Sequence, residues 1–132
     1  MAATTALEAV QAHAEAINER DIEAYRESMN FPFTYQNYNG VALTMETPAD
    51  LEDREPLPWE IVLRTDPQWS HSVFHETEEV ASSVSSVVYR LEVSRGDSSG
   101  VASPRYQAIW IATNQDGHWG VQFRHNLGLL EG

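Results

Sequence analysis

The chain has 132 residues, enough for one domain with its own apolar core and no need of covalent staples. Hydrophobic residues make up 42% and charged residues 21%, and no run of about 18 apolar residues offers a membrane span. Eight basic residues against twenty acidic ones leave a formal charge of −12, which excludes a phosphate-neutralising nucleic-acid surface, and zero cysteines exclude a thiol nucleophile. The same charge repels anionic membranes. The opening MAATTALEAVQ lacks the basic and apolar regions of a signal peptide, so cytoplasm is the expected compartment.

Thr5-Ala-Leu-Glu8 reads as a capping box that starts a helix, and Leu7, Val10, Ala14 and Ile17 follow at helical spacing as its apolar stripe. Asp21 is placed to cap a second short helix carrying Ile22, Tyr25 and Met29. The aromatic stretch 31–37 predicts a strand, and Asn39-Gly40 a turn into a second short strand, 41–45. Residues 47–69 are irregular. Thr47-Pro48 has the form of an N-cap and first helical position, Pro58 can open another turn with Trp59, Val62 and Leu63, and the prolines at 56, 58 and 67 forbid one continuous helix.

From about Val73 the apolar period changes to two. Val87, Tyr89, Leu91 and Val93 alternate with Val88, Arg90, Glu92 and Ser94, and Trp119, Val121 and Phe123 alternate again beyond an Asn114-Gln-Asp-Gly117 turn. With no repeat or linker, residues 1–132 read as a single domain: an α+β cone in which helices fold onto a curved, mostly antiparallel sheet.

The segments AINERDIEAYRESM and YQAIWIATNQDGHWGVQFR carry a resemblance to the nuclear transport factor 2-like superfamily, the cone fold of ketosteroid isomerase, SnoaL-like cyclases and scytalone dehydratase. The first is similar to that family's short helix opening with Asp after a long helix. The second is similar to its closing hairpin, with an Asp-Gly turn and a tryptophan just beyond. The resemblance implies a homodimer and a cavity inside the cone. Laid on the isomerase pattern, His13 stands where that family has an oxyanion-binding tyrosine, Asn37 where it has the general-base aspartate, and Ile109 or Trp110 where it has a protonated aspartate. An amide takes no proton at neutral pH and an apolar side chain donates no hydrogen bond to an enolate, so steroid isomerisation is not expected.

Several side chains are candidates for the cavity. His13 borders the apolar stripe, and its neutral pKa suits acid–base or anchoring work as well as an ordinary core bond to a carbonyl. Tyr35 and Asn37 share a strand face with Phe33. Trp59 and Trp110 belong to the core, with some of the aromatic residues lining any cavity. His75, beside Glu76, supplies half of an acid–base pair if it faces inward. His71 and His75 lie on one strand face roughly 13 Å apart, too far to share one metal ion. His118 falls in a turn and is expected exposed; His125 shares a partly buried face with Phe123. No metal, cofactor fingerprint, Walker loop or nucleophile elbow is present in the pattern.

Three functional readings follow. The first is a binding protein for a small, largely apolar molecule, using His13, Tyr35, Asn37, Trp59, His75 and Trp110. The second is a SnoaL-like cyclase, dehydratase or isomerase working through His13, Tyr35 or His75. The third is an interaction domain whose cavity is filled by its own side chains. A homodimer is expected because the strand Tyr106–Thr113 and its neighbour are apolar on both faces.

Overall fold

Helix α1 (Ala6–Glu19) begins where the capping box places it. In the computed structural model, which describes residues 3–53, 58–100 and 102–129, the Thr5 hydroxyl accepts the Glu8 N–H at 3.2 Å. The return bond differs from the box pattern. The Glu8 carboxylate accepts the hydroxyls of Thr4 and Thr5 at 2.6 and 3.1 Å, which hold its pKa below the usual carboxylate value. The buried face of α1 is Ala6, Ala9, Val10, His13, Ala16 and Ile17. Leu7, expected on that stripe, is 43% exposed. Alanines set the seam because they let the helix lie close on the sheet, and His13 therefore falls at its centre rather than its border.

Asp21 caps helix α2 (Ile22–Glu27) by accepting the Ala24 N–H at 3.1 Å. Met29 does not extend that helix but opens strand β1 (Met29–Asn37), which turns through Gly40, at φ 91°, into β2 (Ala42–Met45). Two short helices follow, α3 (Pro48–Asp53) and α4 (Pro58–Thr65). The rest is the meander: β3 (Trp69–Ser82), β4 (Ser86–Asp97), β5 (Tyr106–Gln115) and β6 (His118–Leu129).

The six strands run β2-β1-β6-β5-β4-β3 across one sheet, with β1 and β6 parallel and the other neighbours antiparallel. Asp116 and Gly117, at φ 52° and 90°, form the two-residue turn between β5 and β6, and Gly117 donates its N–H to the Asn114 side chain at 2.8 Å. His118 is not exposed at this turn. It is half-buried, with Nδ1 2.6 Å from Asn30 Oδ1 and Nε2 2.9 Å from the Glu27 carbonyl, bonds that tie the hairpin to α2.

A register shift between Ile111 and Ala112 decides what the closing strand presents to each side. Val121 is fully buried toward the helices, whereas Phe123 and His125 pair with Ile111 and Ile109 on the outer face. Trp110 pairs with Arg124 and Ala108 with Asn126 on the inner face. Gln122 is the residue left unpaired at the shift, and Gly120, two residues before it, has no room for a side chain, since a Cβ there would stand 2.6 Å from the Met29 carbonyl carbon.

The outer face is mixed. Arg90 sits among Glu78, Glu92 and Glu76 at 3.0, 3.1 and 3.8 Å, with Val88, Ile109, Ile111 and Phe123 half-buried beside this cluster. Beyond His75, β3 is an exposed edge bearing Glu76, Glu78 and Glu79, charges that discourage pairing with another sheet edge. No described helix is long and apolar enough to cross a membrane.

Candidate functional site: an arginine in an aromatic cavity

Between the helices and the concave sheet lies a cavity of about 60 Å³. Aliphatic walls come from Ile17, Leu43, Met45, Val62 and Val93, and aromatic ones from Phe33, Tyr35, Phe74, Tyr106 and Trp110. The polar groups among them are few, and two carry charge, Arg95 and Arg124. Arg124 enters from β6 between Trp110 on one neighbouring strand and Tyr35 on the other. Its guanidinium carbon lies 5.1 Å from the Tyr35 ring centre, 5.6 Å from those of Phe33 and Trp110, and 5.8 Å from that of Tyr25. One nitrogen donates to the Tyr25 hydroxyl at 2.9 Å. Nε is buried with no acceptor, and among the described residues no carboxylate lines the cavity or pairs with Arg124.

The cavity adjoins a wider mouth of about 250 Å³, where Arg95, Tyr106 and Asn126 belong to both walls. Asn37, opposite Asn126 in the parallel pair, lines this mouth, and its buried Oδ1 has no partner. Asn126 donates to the Tyr35 hydroxyl at 3.2 Å. Burial raises the pKa of Tyr25 and Tyr106 above the ordinary phenol value, Arg124 opposing it at the first and Arg95 most strongly at the second. Both phenols therefore stay protonated at neutral pH.

His13 is fully buried but does not line the cavity. It stands behind the aromatic wall, stacked on Tyr25 at 4.5 Å and edge-on to Trp110 at 5.2 Å. Ser28 donates its hydroxyl hydrogen to the Tyr25 carbonyl at 2.7 Å, so its oxygen accepts from His13 Nδ1, 2.8 Å away. That fixes the tautomer: Nδ1 carries the hydrogen, and Nε2 is a buried lone pair with no donor. Burial, helped by the nearby positive Arg124, pushes the His13 pKa well below that of a free imidazole.

Of the other expected residues, Tyr35 and Trp110 are walls of the cavity and Asn37 of its mouth. Trp59 is 8% exposed and meets Tyr25 edge-on at 5.9 Å, one layer behind the cavity. His75 is exposed and bonded to Ser94 at 2.9 Å, away from the cavity that its neighbour Phe74 lines. A register shift between Phe74 and Glu76 accompanies this placement. Arg124, Tyr25 and Arg95 were not anticipated, whereas Tyr106 is one of the aromatic residues expected to serve core or cavity. The signal for Arg124 was Gly120, since a glycine inside a strand marks a bulge that reverses which alternate residues face inward.

The cavity walls hold no imidazole and no carboxylate among the described residues, hence no proton acceptor suited to neutral pH. They hold two guanidinium groups, phenolic hydroxyls and hydrocarbon, a composition suited to binding.

No family model matches this chain, and no curated protein matches it. Solved structures do. A calcium/calmodulin-dependent protein kinase type II association domain, so proposed, from Thiobacillus denitrificans superposes with a TM-score of 0.72 at 12% identity, covering 96% of each chain. A nuclear transport factor 2-like protein from Cytophaga hutchinsonii superposes at 0.65 and 12% identity, covering 93% of this chain and 94% of that one. A proposed aromatic ring hydroxylase from Novosphingobium aromaticivorans gives 0.64 at 13% identity, covering 96% and 87%. Likenesses at such identity establish the fold.

Proposed function

We propose that this chain, a member of the nuclear transport factor 2-like superfamily by its fold, is a binding protein for a small, largely apolar molecule. The observation that carries the reading is the cavity itself, walled by aliphatic and aromatic side chains around a few convergent polar groups. At about 60 Å³ the inner chamber favours a short occupant, one whose far end rests in the 250 Å³ mouth. An enzymatic reading has less behind it, since His13 is sealed behind Tyr25 and Trp110 and His75 lies outside.

Small neutral amides and phenols titrated against tryptophan fluorescence test the reading, with Trp110 in the wall as reporter. Saturable quenching is expected, and Val62→Trp, which fills the cavity from α4, is expected to abolish it in a folded protein. Quenching that is absent, or indifferent to that substitution, would overturn the proposal.

The outer face supports a second, separate proposal, that two copies pair through it. The helices pack on the opposite face, leaving Val88, Ile109, Ile111 and Phe123 half-buried around the Arg90 cluster. Covering such side chains contributes roughly 1.5–3 kcal/mol each when burial is complete.

A further inference from the structure

We propose that the molecule held in the cavity is a monocarboxylate whose carboxylate docks on Arg124. This rests on the reading of the cavity as a binding site and adds the chemical class of its occupant.

Among the described residues Arg124 is a cation without an anion. A guanidinium offers five N–H donors, and the Tyr25 hydroxyl is the single acceptor the described residues give it. The surrounding rings attract the charge, but at 5.1–5.8 Å from their centres they supply no acceptor for its hydrogens. Arg124 as a whole is half-buried, but its Nε is cut off from water, and a buried charged donor is unfavourable unless a hydrogen-bond partner replaces that water.

The neighbours point the same way. Tyr25 accepts from Arg124 and Tyr35 accepts from Asn126, so each phenol has its own O–H left to donate. The cavity wall therefore offers a guanidinium and two hydroxyl donors, and among the described residues that line it there is no carboxylate to receive them. An anion is the missing member.

Its class follows from shape and wall chemistry. A carboxylate is flat and accepts two parallel N–H bonds from one guanidinium fork. A phosphate dianion brings three terminal oxygens in a tetrahedral array that one planar guanidinium fork does not match, and the wall's second cation, Arg95, stands where the cavity meets its mouth, over the Tyr106 ring at 5.7 Å. Ile17, Leu43, Met45, Val62 and Phe74 fit a hydrocarbon remainder. The net charge of −12 does not draw anions in, so selectivity rests on this local constellation.

Hexanoate and hexanamide, equal in length and differing in charge, test the inference by calorimetry and tryptophan fluorescence. Wild type is expected to bind hexanoate at least about tenfold more tightly than hexanamide, the scale of a hydrogen-bonded charge. Arg124→Gln is expected to remove that preference by weakening hexanoate far more than hexanamide, and Arg124→Lys, which keeps the charge without the fork, to fall between them. Equal wild-type affinities, or a preference that survives Arg124→Gln, would overturn the carboxylate inference and leave the cavity as a binding site. Should neither compound bind wild type, both readings fall. The wild-type ratio decides even if a variant fails to fold.

Discussion

Acid should loosen this protein through one histidine. His13 is fully buried, with Nδ1–H given to Ser28 and Nε2 facing no donor or acceptor. Protonation would place a second N–H without a partner beside an uncompensated Arg124, so the folded state resists the proton that the unfolded chain takes near pH 6.5. Because the folded pKa is lowered, the unfolded state binds more protons through this window, and stability falls as pH drops below about 6.5 toward the folded value. Above that window the contribution is fully present.

The slope approaches 1.4 kcal/mol per pH unit once the unfolded imidazole is charged and the folded one is not. Between pH 7 and pH 5 the loss is then about 2 kcal/mol. A chain of this length unfolds with an entropy of about 0.28 kcal/mol per kelvin, so the melting temperature should drop by about 7 °C from this group alone. Many carboxylates titrate nearby, so the measurement is a difference. His13→Phe keeps an aromatic ring against Tyr25 and Trp110, and urea unfolding of both proteins from pH 5 to 8 isolates the histidine. Wild type should lose about 2 kcal/mol more than the variant over that range; parallel curves would refute the argument.

Two further outcomes follow from the sheet. Gly120→Ala should destabilise by roughly 1–3 kcal/mol in denaturant unfolding, because the added methyl meets the Met29 and Asn30 backbone at 2.6–2.9 Å, where no flexible side chain gives way. Wild type should scatter light as a particle twice the 14.9 kDa chain mass, and Ile109→Lys, on the outer face, should return it to the monomer without loss of melting cooperativity. A monomeric wild type at micromolar concentration would sink the pairing.

Much of the fold was legible because local chemistry and tertiary packing agree in it. The Thr5 cap, the Asp21 cap, the Asn39-Gly40 turn and the Asp116-Gly117 turn are each specified by the residues that occupy them, and each is where it was expected. Alternation also located the meander, although β3 starts at Trp69 rather than near Val73. What alternation failed to give was facing. Each register shift reverses the inward set of residues, and the shifts near His75 and Gly120 reversed it at the two places that bear on the site.

Arg124 was hidden for that reason and for a second one. In the unbroken pattern it shares a face with Gly120 and Gln122, which reads as solvent side, and a lone basic residue in so acidic a chain looks like one more surface charge. Net charge describes the surface, though, and says nothing of a cavity of a few side chains. A chain that excludes anions from its exterior can still concentrate one cation inside, where low polarity strengthens its attraction for a partner. His13 completes the logic from behind the wall. Its lowered pKa keeps the imidazole neutral at working pH, so it adds no further positive charge behind the wall that holds Arg124.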